Sequence, residues 1–207
     1  MLRGNARAKY NQTFATIAKR ELANCGSILD IGCGSGSPAS PFRSETYSVG
    51  VELYLPAIME SKKRGIYTDM IRSDISQIEF KPKSFDCVIC SDVVEHLTKK
   101  NGLKLIIKME DIAIKKVIIL TPNGFNQKEH LEDGNILQAH KSGWFVKDFV
   151  NMNYEVKGAL GLKYIRGERT ALKFKPNWLW EKISGLTQLV TFSLPQYAYY
   201  IVCVKRL

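Results

Sequence analysis

The sequence predicts an α/β protein built on a doubly wound, mostly parallel sheet, and three observations carry that prediction. An apolar strand, Ile28-Leu29-Asp30-Ile31, runs without a spacer into Gly32-Cys33-Gly34-Ser35-Gly36. Strand and helix patterns then alternate along the chain, as a sheet covered on both faces requires. Acids (Glu52, Asp74) close the next two strand patterns, at the carboxyl edge where such sheets bind ligands. Glycine is needed where the backbone turns sharply or a ligand approaches with no Cβ in the way. Asp30 is an acid inside an apolar strand, where an unpaired charge is expensive. A cationic ligand, or loop N–H donors held by the carboxylate, would offset it.

In chain order, the spacing of Tyr10, Phe14, Ile17, Ala18 and Leu22 predicts an amphipathic helix from Ala8 to Asn24, with Gly26 as its stop. The second strand is Tyr47 to Val51, ending in Glu52-Leu53. A helix from Leu55 to Arg64 follows, with Pro56 in the first turn, where proline is tolerated. A short strand, Met70 to Ser73, leads to Asp74-Ile75, and the fourth strand, Phe85 to Cys90, closes with Ser91-Asp92-Val93-Val94-Glu95-His96-Leu97. A helix from Asn101 to Ile114 and a fifth strand from Val117 to Leu120 come next. After a polar loop, Phe125 to Gly143, the pattern gives a helix from Trp144 to Met152 and a sixth strand at Tyr154-Glu155-Val156. Tyr197 to Val204 reads as a terminal strand.

The glycine loop has two rival readings. One is an ordinary turn. The other is a dinucleotide fingerprint, which Gly34-x-Gly36-x-x-Ala39 fits. Counted from Gly32, at the strand's end, the third position is Ser37 and the fingerprint misses. Pro38 and Pro41 also leave a poor helical platform for a pyrophosphate.

The stretch resembles motif I of the class I S-adenosylmethionine-dependent methyltransferases, D-x-G-x-G-x-G, with Asp30, Gly32, Gly34 and Gly36 in register. The resemblance extends from about residue 10 to residue 157. It implies a doubly wound, Rossmann-like methyltransferase fold, with a seven-stranded, mostly parallel sheet and an antiparallel C-terminal strand. It also implies S-adenosylmethionine as cofactor and S-adenosylhomocysteine as product. On this reading the glycine loop, with Cys33, Gly34 and Gly36, carries the cofactor. Glu52 accepts from its ribose hydroxyls, at the roughly twenty-residue offset such folds use, and Leu53 borders the adenine. Asp74 and the Ile75 N–H recognise the adenine edge, and Ser91 begins the loop beneath the methionine part. The N-terminal helix before motif I, residues 1–26, is expected to fold its start over the cofactor, with Tyr10 as the candidate contact.

The chain of 207 residues, 45% hydrophobic, reads as one soluble domain over 1–207 with an acceptor-side insertion at 160–195. No apolar run reaches transmembrane length, and the N-terminus lacks a signal-peptide core, which together point to a cytoplasmic protein. The five cysteines suit a reducing compartment: Cys87 and Cys90 lie three apart in a strand and should face opposite sides, which argues against a redox or zinc pair. A net charge of +10 predicts an anionic partner. The 160–195 segment mixes cations with aromatics, and leaves open an acceptor lid, a membrane-surface patch, a nucleic-acid contact or a plain packed helix.

Displacement at a sulfonium needs mainly a near-attack arrangement. A base is required only where the acceptor arrives protonated. His96 is the base candidate, since it follows the fourth strand and imidazole titrates near neutrality. Asp92-x-x-Glu95-His96 also resembles the E-x-x-E-H of ubiquinone-pathway O-methyltransferases and small-RNA 2′-O-methyltransferases, where such groups gather a divalent ion. Here a further ligand would have to be His130 or His140, the same motif ending serves members without metal, and no metal site is assigned. The expected acceptor is a hydroxyl on a small-molecule, sugar or lipid-linked compound, with RNA as the alternative and a non-catalytic cofactor-binding module as the third reading.

Overall fold

The computed structural model describes residues 14–37, 46–125, 138–167 and 171–207. Seven strands form one sheet: β1 (Ser27–Ile31), β2 (Tyr47–Glu52), β3 (Asp69–Arg72), β4 (Phe85–Ser91), β5 (Ala113–Pro122), β6 (Glu155–Leu162) and β7 (Ala198–Arg206). Their order is β3-β2-β1-β4-β5-β7-β6, with β1 to β5 parallel and β7 antiparallel to both β5 and β6. The strand order reverses between β1 and β4, so the carboxyl ends of those two strands form the crevice where such sheets bind ligands. The expected seven-stranded fold with an antiparallel terminal strand is the one observed.

Alternation along the strands builds two cores. On one face, Leu29, Ile31, Val49, Val51, Val88, Cys90, Val117 and Ile119 pack against Leu105, Ile106, Met109 and Ile112 of α3 (Lys99–Ile112). Phe149 of α4 (Val146–Val150) and the buried Trp144 join the same cluster. On the other face, Ile28, Cys87, Ile89, Ile118 and Leu120 pack against Phe14, Ile17, Ala18 and Leu22 of α1 (14–22). Cys87 and Cys90 thus belong to opposite cores, and all five cysteines are free and buried. The described part of the N-terminal helix docks on the sheet; Tyr10 and residues 1–13 lie outside the described residues. At the far end of α1, buried Glu21 accepts both oxygens' worth of hydrogen bonds from Arg206 Nη2, at 2.9 Å each, and binds Lys116 at 3.4 Å. This ion cluster ties α1 to β5 and β7.

α2 (Leu55–Lys63) carries proline in its first turn, as expected. Three elements differ from the sequence expectation. β5 begins at Ala113, where it pairs with Phe85 of β4, and β6 runs on to Leu162, where pairing with β7 extends it past its apolar run. The helix expected from Trp144 is shorter, Val146–Val150, since Trp144 is drawn into the core by Gly102 of α3 and by Ser142. Part of the segment expected as an insertion, 160–162, belongs to the sheet. The remainder forms a 3-10 turn (Lys163–Ile165) and α5 (Asn177–Ser193), which lies on β6.

Gly102 sits in a helix interior, where alanine is ordinarily about 1 kcal/mol better. Here an added Cβ would meet Trp144 Cζ2 at 2.5 Å, beneath a ring that is fully buried. Gly102→Ala should therefore reverse the usual sign and destabilise by about 1–3 kcal/mol, read as a lower urea midpoint at unchanged slope.

Candidate active site

The site is built where β1 and β4 part. Gly32, Gly34 and Gly36 all have positive φ, at 69°, 55° and 125°, which other residues adopt only at a cost. Gly32 is also held by contact: a Cβ there would lie 2.4 Å from Val93 Cγ2, so the glycine loop packs directly on the loop after β4. A Cβ on Gly34, by contrast, would meet nothing within 4 Å. The loop is anchored by Gly32 and Cys33 N–H groups donating to Val51 O, at 2.8 and 3.1 Å. Arg64 at the end of α2 donates to Ser35 O at 2.9 Å.

Glu52 joins this loop to the next. Its Oε2 accepts from Gly34 N–H at 2.9 Å, and its Oε1 from the N–H groups of Leu53 and Tyr54 at 2.8 Å each. The carboxylate is half-buried, held in one orientation at the edge of the cradle. Leu53 beside it is half-buried, and Cys33 is buried in the loop with its thiol pushed up by burial.

Asp30 is fully buried, and among the described residues its carboxylate is met by a phenol. Its Oδ2 accepts from the Tyr67 hydroxyl at 2.7 Å, and that hydroxyl in turn accepts from Ser37 N–H at 3.3 Å. Asp30 pairs with Gly50 across the sheet, and a Cβ on Gly50 would lie 3.0 Å from the Tyr67 ring. The glycine in β2 thus makes room for the phenol. Burial pushes the Asp30 carboxyl up to about 7, opposed by the Tyr67 and Ser37 hydrogen bonds and aided by the nearby Glu52 charge. Tyr67 gives no sequence signal: it follows a glycine turn and belongs to no motif. The signal that could have found it is the missing side chain at Gly50.

Asp74 turns Oδ1 to Ser76, accepting from its N–H and its hydroxyl at 2.8 Å each. This is the turn-bracing arrangement of a short acid. Ile75 beside it is half-buried against the core. Ser91 ends β4, buried, with an Oγ that has no hydrogen-bond partner among the described residues; Asp30 Oδ1 is likewise buried without one. Buried polar atoms are ordinarily satisfied. Two orphans beside an open glycine cradle and an oriented carboxylate suit a polar, hydroxyl-bearing ligand, and the expected cofactor fits this set.

Across the crevice lies a second group. Asp92, at φ 55°, is bonded by the Tyr200 hydroxyl. Glu95 is buried, and its Oε2 accepts from the Thr121 hydroxyl at 3.0 Å. His96 Nδ1 lies 3.3 Å from Ala139 O, and its ring meets that of His140 edge-on at 4.9 Å. Ligand atoms of Glu95, His96 and His140 all lie within 4.8 Å of one another, a set able to hold a metal ion. His140 is therefore the second histidine of this cluster; His130 lies outside the described residues. The segment carrying His140 is fixed by Lys141 and Ser142 N–H groups donating to Glu95 O, at 2.7 and 3.1 Å. Ser142 also receives Trp144 Nε1, and Lys99 lies 3.7 Å from the Trp144 ring centre while binding Asp148 at 2.6 Å.

Known proteins resemble the chain in the same terms. Residues 29–116 match the family model described as a methyltransferase domain. A ubiquinone biosynthesis O-methyltransferase of Rickettsia felis is 32% identical over 133 residues, 58% of this chain and 50% of that protein. The chain spans about half the length of the curated relatives it matches. Among solved structures, an S-adenosylmethionine-dependent methyltransferase from Mesorhizobium loti superposes with a TM-score of 0.64 at 11% identity, covering 98% of this chain and all of that one. Another from Archaeoglobus fulgidus gives 0.60 at 18%, covering 95% and 94%. At these identities the structures establish a shared fold.

A carboxyl whose pKa is raised on folding favours the folded state most when protonated. The Asp30 contribution is thus intact below its unfolded value near 4 and is lost as pH rises through about 7. Asp30→Asn should remove that loss, so its stability relative to the parent rises by about 1.4 kcal/mol per pH unit across this window and levels off above it. Urea denaturation at a series of pH values reads the slope.

Proposed function

We propose that this chain, which belongs to the class I S-adenosylmethionine-dependent methyltransferase superfamily, moves the cofactor's methyl group to a hydroxyl of a small-molecule, sugar or lipid-linked acceptor. The observation that carries the reading is the direct contact between the two halves of the site. Gly32 packs on Val93, which puts the glycine cradle against the loop that presents Glu95 and His96.

When bound, the cofactor supplies an electrophilic methyl group on a sulfonium. The protein's part is to orient it. Glu52 offers an oriented carboxylate to the ribose hydroxyls, with Leu53 beside the adenine. Ser91 and the glycine loop face the methionine part, and the Asp74-Ile75 turn borders the base. Asp30 acts from below, holding Tyr67 and through it Ser37 of the loop. Gains from such positioning can be large, because the entropy of bringing donor and acceptor together is met on binding.

An Nδ1–H donated to Ala139 O leaves the lone pair of His96 on Nε2, where it can take the proton of an acceptor hydroxyl. The Glu95, His96 and His140 cluster supports a second reading of the same place. A divalent ion there would be held by those three residues and would supply Lewis-acid activation of the acceptor oxygen. The Rickettsia felis relative is named for O-methyl transfer, which supports an oxygen acceptor.

The test is methyl-labelled cofactor with separate pools of hydroxylated metabolites and RNA. Label should enter the metabolite pool, and His96→Asn should lower turnover by about a hundredfold or more at unchanged S-adenosylhomocysteine affinity. Loss of turnover on chelation, restored by a divalent ion, would assign the cluster to the metal. Label entering RNA alone would overturn the acceptor class.

A further inference from the structure

α5 is covered on one side only. Its buried side is set by Ser184, Thr187, Gln188 and Thr191, which bond or touch β6. Leu162 N–H donates to Thr187 Oγ1 at 3.2 Å, and Gly161 N–H to Gln188 Oε1 at 2.9 Å. Gly158 is pressed against the backbone of Thr191. On the opposite side Trp178, Leu186, Leu189 and Val190 are 61%, 69%, 78% and 59% exposed, with Leu179 at their flank. These positions fall on one stripe at helical spacing. Exposed leucines occur singly on any protein; a contiguous apolar face at this exposure marks an interaction surface.

Among the described residues, the charges in the stripe and on its approach are of one sign. Lys182 lies within it, 5.4 Å from the Trp178 ring, and Lys173 and Lys175 are exposed on the approach to the helix. The one acid on α5, Glu181, stands off the stripe and is half-buried. We propose that this face docks on an anionic phospholipid bilayer, with α5 lying in the interfacial plane.

Chemistry selects this occupant. An apolar stripe ending in tryptophan with lysines at its border is the pattern of helices that bury one side at the headgroup boundary. A second copy of the chain packed on the same stripe would bring the Lys182 side chains near the centre of the contact towards each other, and like charges there oppose pairing. RNA would find one cation and one ring, Trp178, in the stripe; the leucines and valine that fill the rest of it offer bases no stacking surface. No described helix is long and apolar enough to cross a membrane, so the contact is with a surface.

The direction of α5 gives the contact its place. The helix runs antiparallel to β6, since Ser184 and Thr187 lie by Gly161 and Thr191 lies by Gly158. Trp178 is nine residues before Thr187, about 13 Å at helical rise, beyond the carboxyl end of β6. Asn123, just past the carboxyl end of β5, donates to the carbonyls of Pro195, Gln196 and Ala198 and holds the helix exit at the same edge. The Trp178 end of α5 therefore reaches the edge of the sheet that carries the glycine cradle, while the rest of the helix lies along β6. The proposal does not depend on which acceptor is methylated.

The experiment is co-sedimentation of the full chain with unilamellar vesicles, either pure phosphatidylcholine or with about one-third phosphatidylglycerol. Binding should require the anionic lipid and weaken with salt. Leu186→Asp with Leu189→Asp, both at exposed positions, should lower binding at least tenfold while circular dichroism and S-adenosylhomocysteine affinity stay unchanged. Absence of vesicle binding by the parent chain, or equal binding by the double variant, would overturn the proposal. So would a concentration-dependent dimer, or RNA binding, that the double variant abolishes without any vesicle binding by the parent.

Discussion

The carboxylate of Glu52 is the constraint on which the rest of the site depends. It stands at the end of β2 and accepts from Gly34 on the neighbouring loop and from Leu53 and Tyr54 on its own. Three backbone donors that would otherwise point into the crevice are thereby satisfied, and hydrogen bonds to a charged acceptor are stronger than neutral ones. The glycine loop can keep three positive φ angles because that carboxylate, Val51 O and Arg64 fix it from three sides. A ligand-binding surface made this way is set before the ligand arrives, so little ordering has to be offset on binding.

The second half of the crevice rests on burial rather than on charge. Glu95 is held by Thr121, and its backbone carbonyl gathers the segment that brings His140 to His96. Trp144 fills the space left by Gly102 and holds the same segment from behind. Between the halves, Val93 touches the place where Gly32 has no side chain. The two halves are thus coupled by packing, and a change in the loop after β4 is felt in the cradle.

What the sequence made legible followed from local pattern. The strand that carries Asp30, the glycines, Glu52 about twenty residues on, and the opposite faces of Cys87 and Cys90 can each be read within a short window. The unread contacts join distant positions. Tyr67 reaches Asp30 across thirty-seven residues, and Thr121 reaches Glu95 across twenty-six; neither spacing has a period to betray it. Strand ends escape local pattern for the same reason: the start of β5 is set by β4, and its end and the length of β6 by β7, not by their own composition. Asp74 stands out by its place at a strand end, and its partner, Ser76, is the local one that short acids commonly find. The 160–195 segment announced cations and aromatics, but only the direction of α5 shows which of them share a face.

The central claim is that the crevice between β1 and β4 is a cradle for S-adenosylmethionine, closed by Glu52. Calorimetric titration with S-adenosylhomocysteine tests it most directly, with NADH as control and Glu52→Ala beside the parent chain. One-to-one binding of S-adenosylhomocysteine, none of NADH, and a loss of at least tenfold in the folded variant is the predicted result. Binding of NADH instead, or equal S-adenosylhomocysteine affinity in the variant, would contradict it.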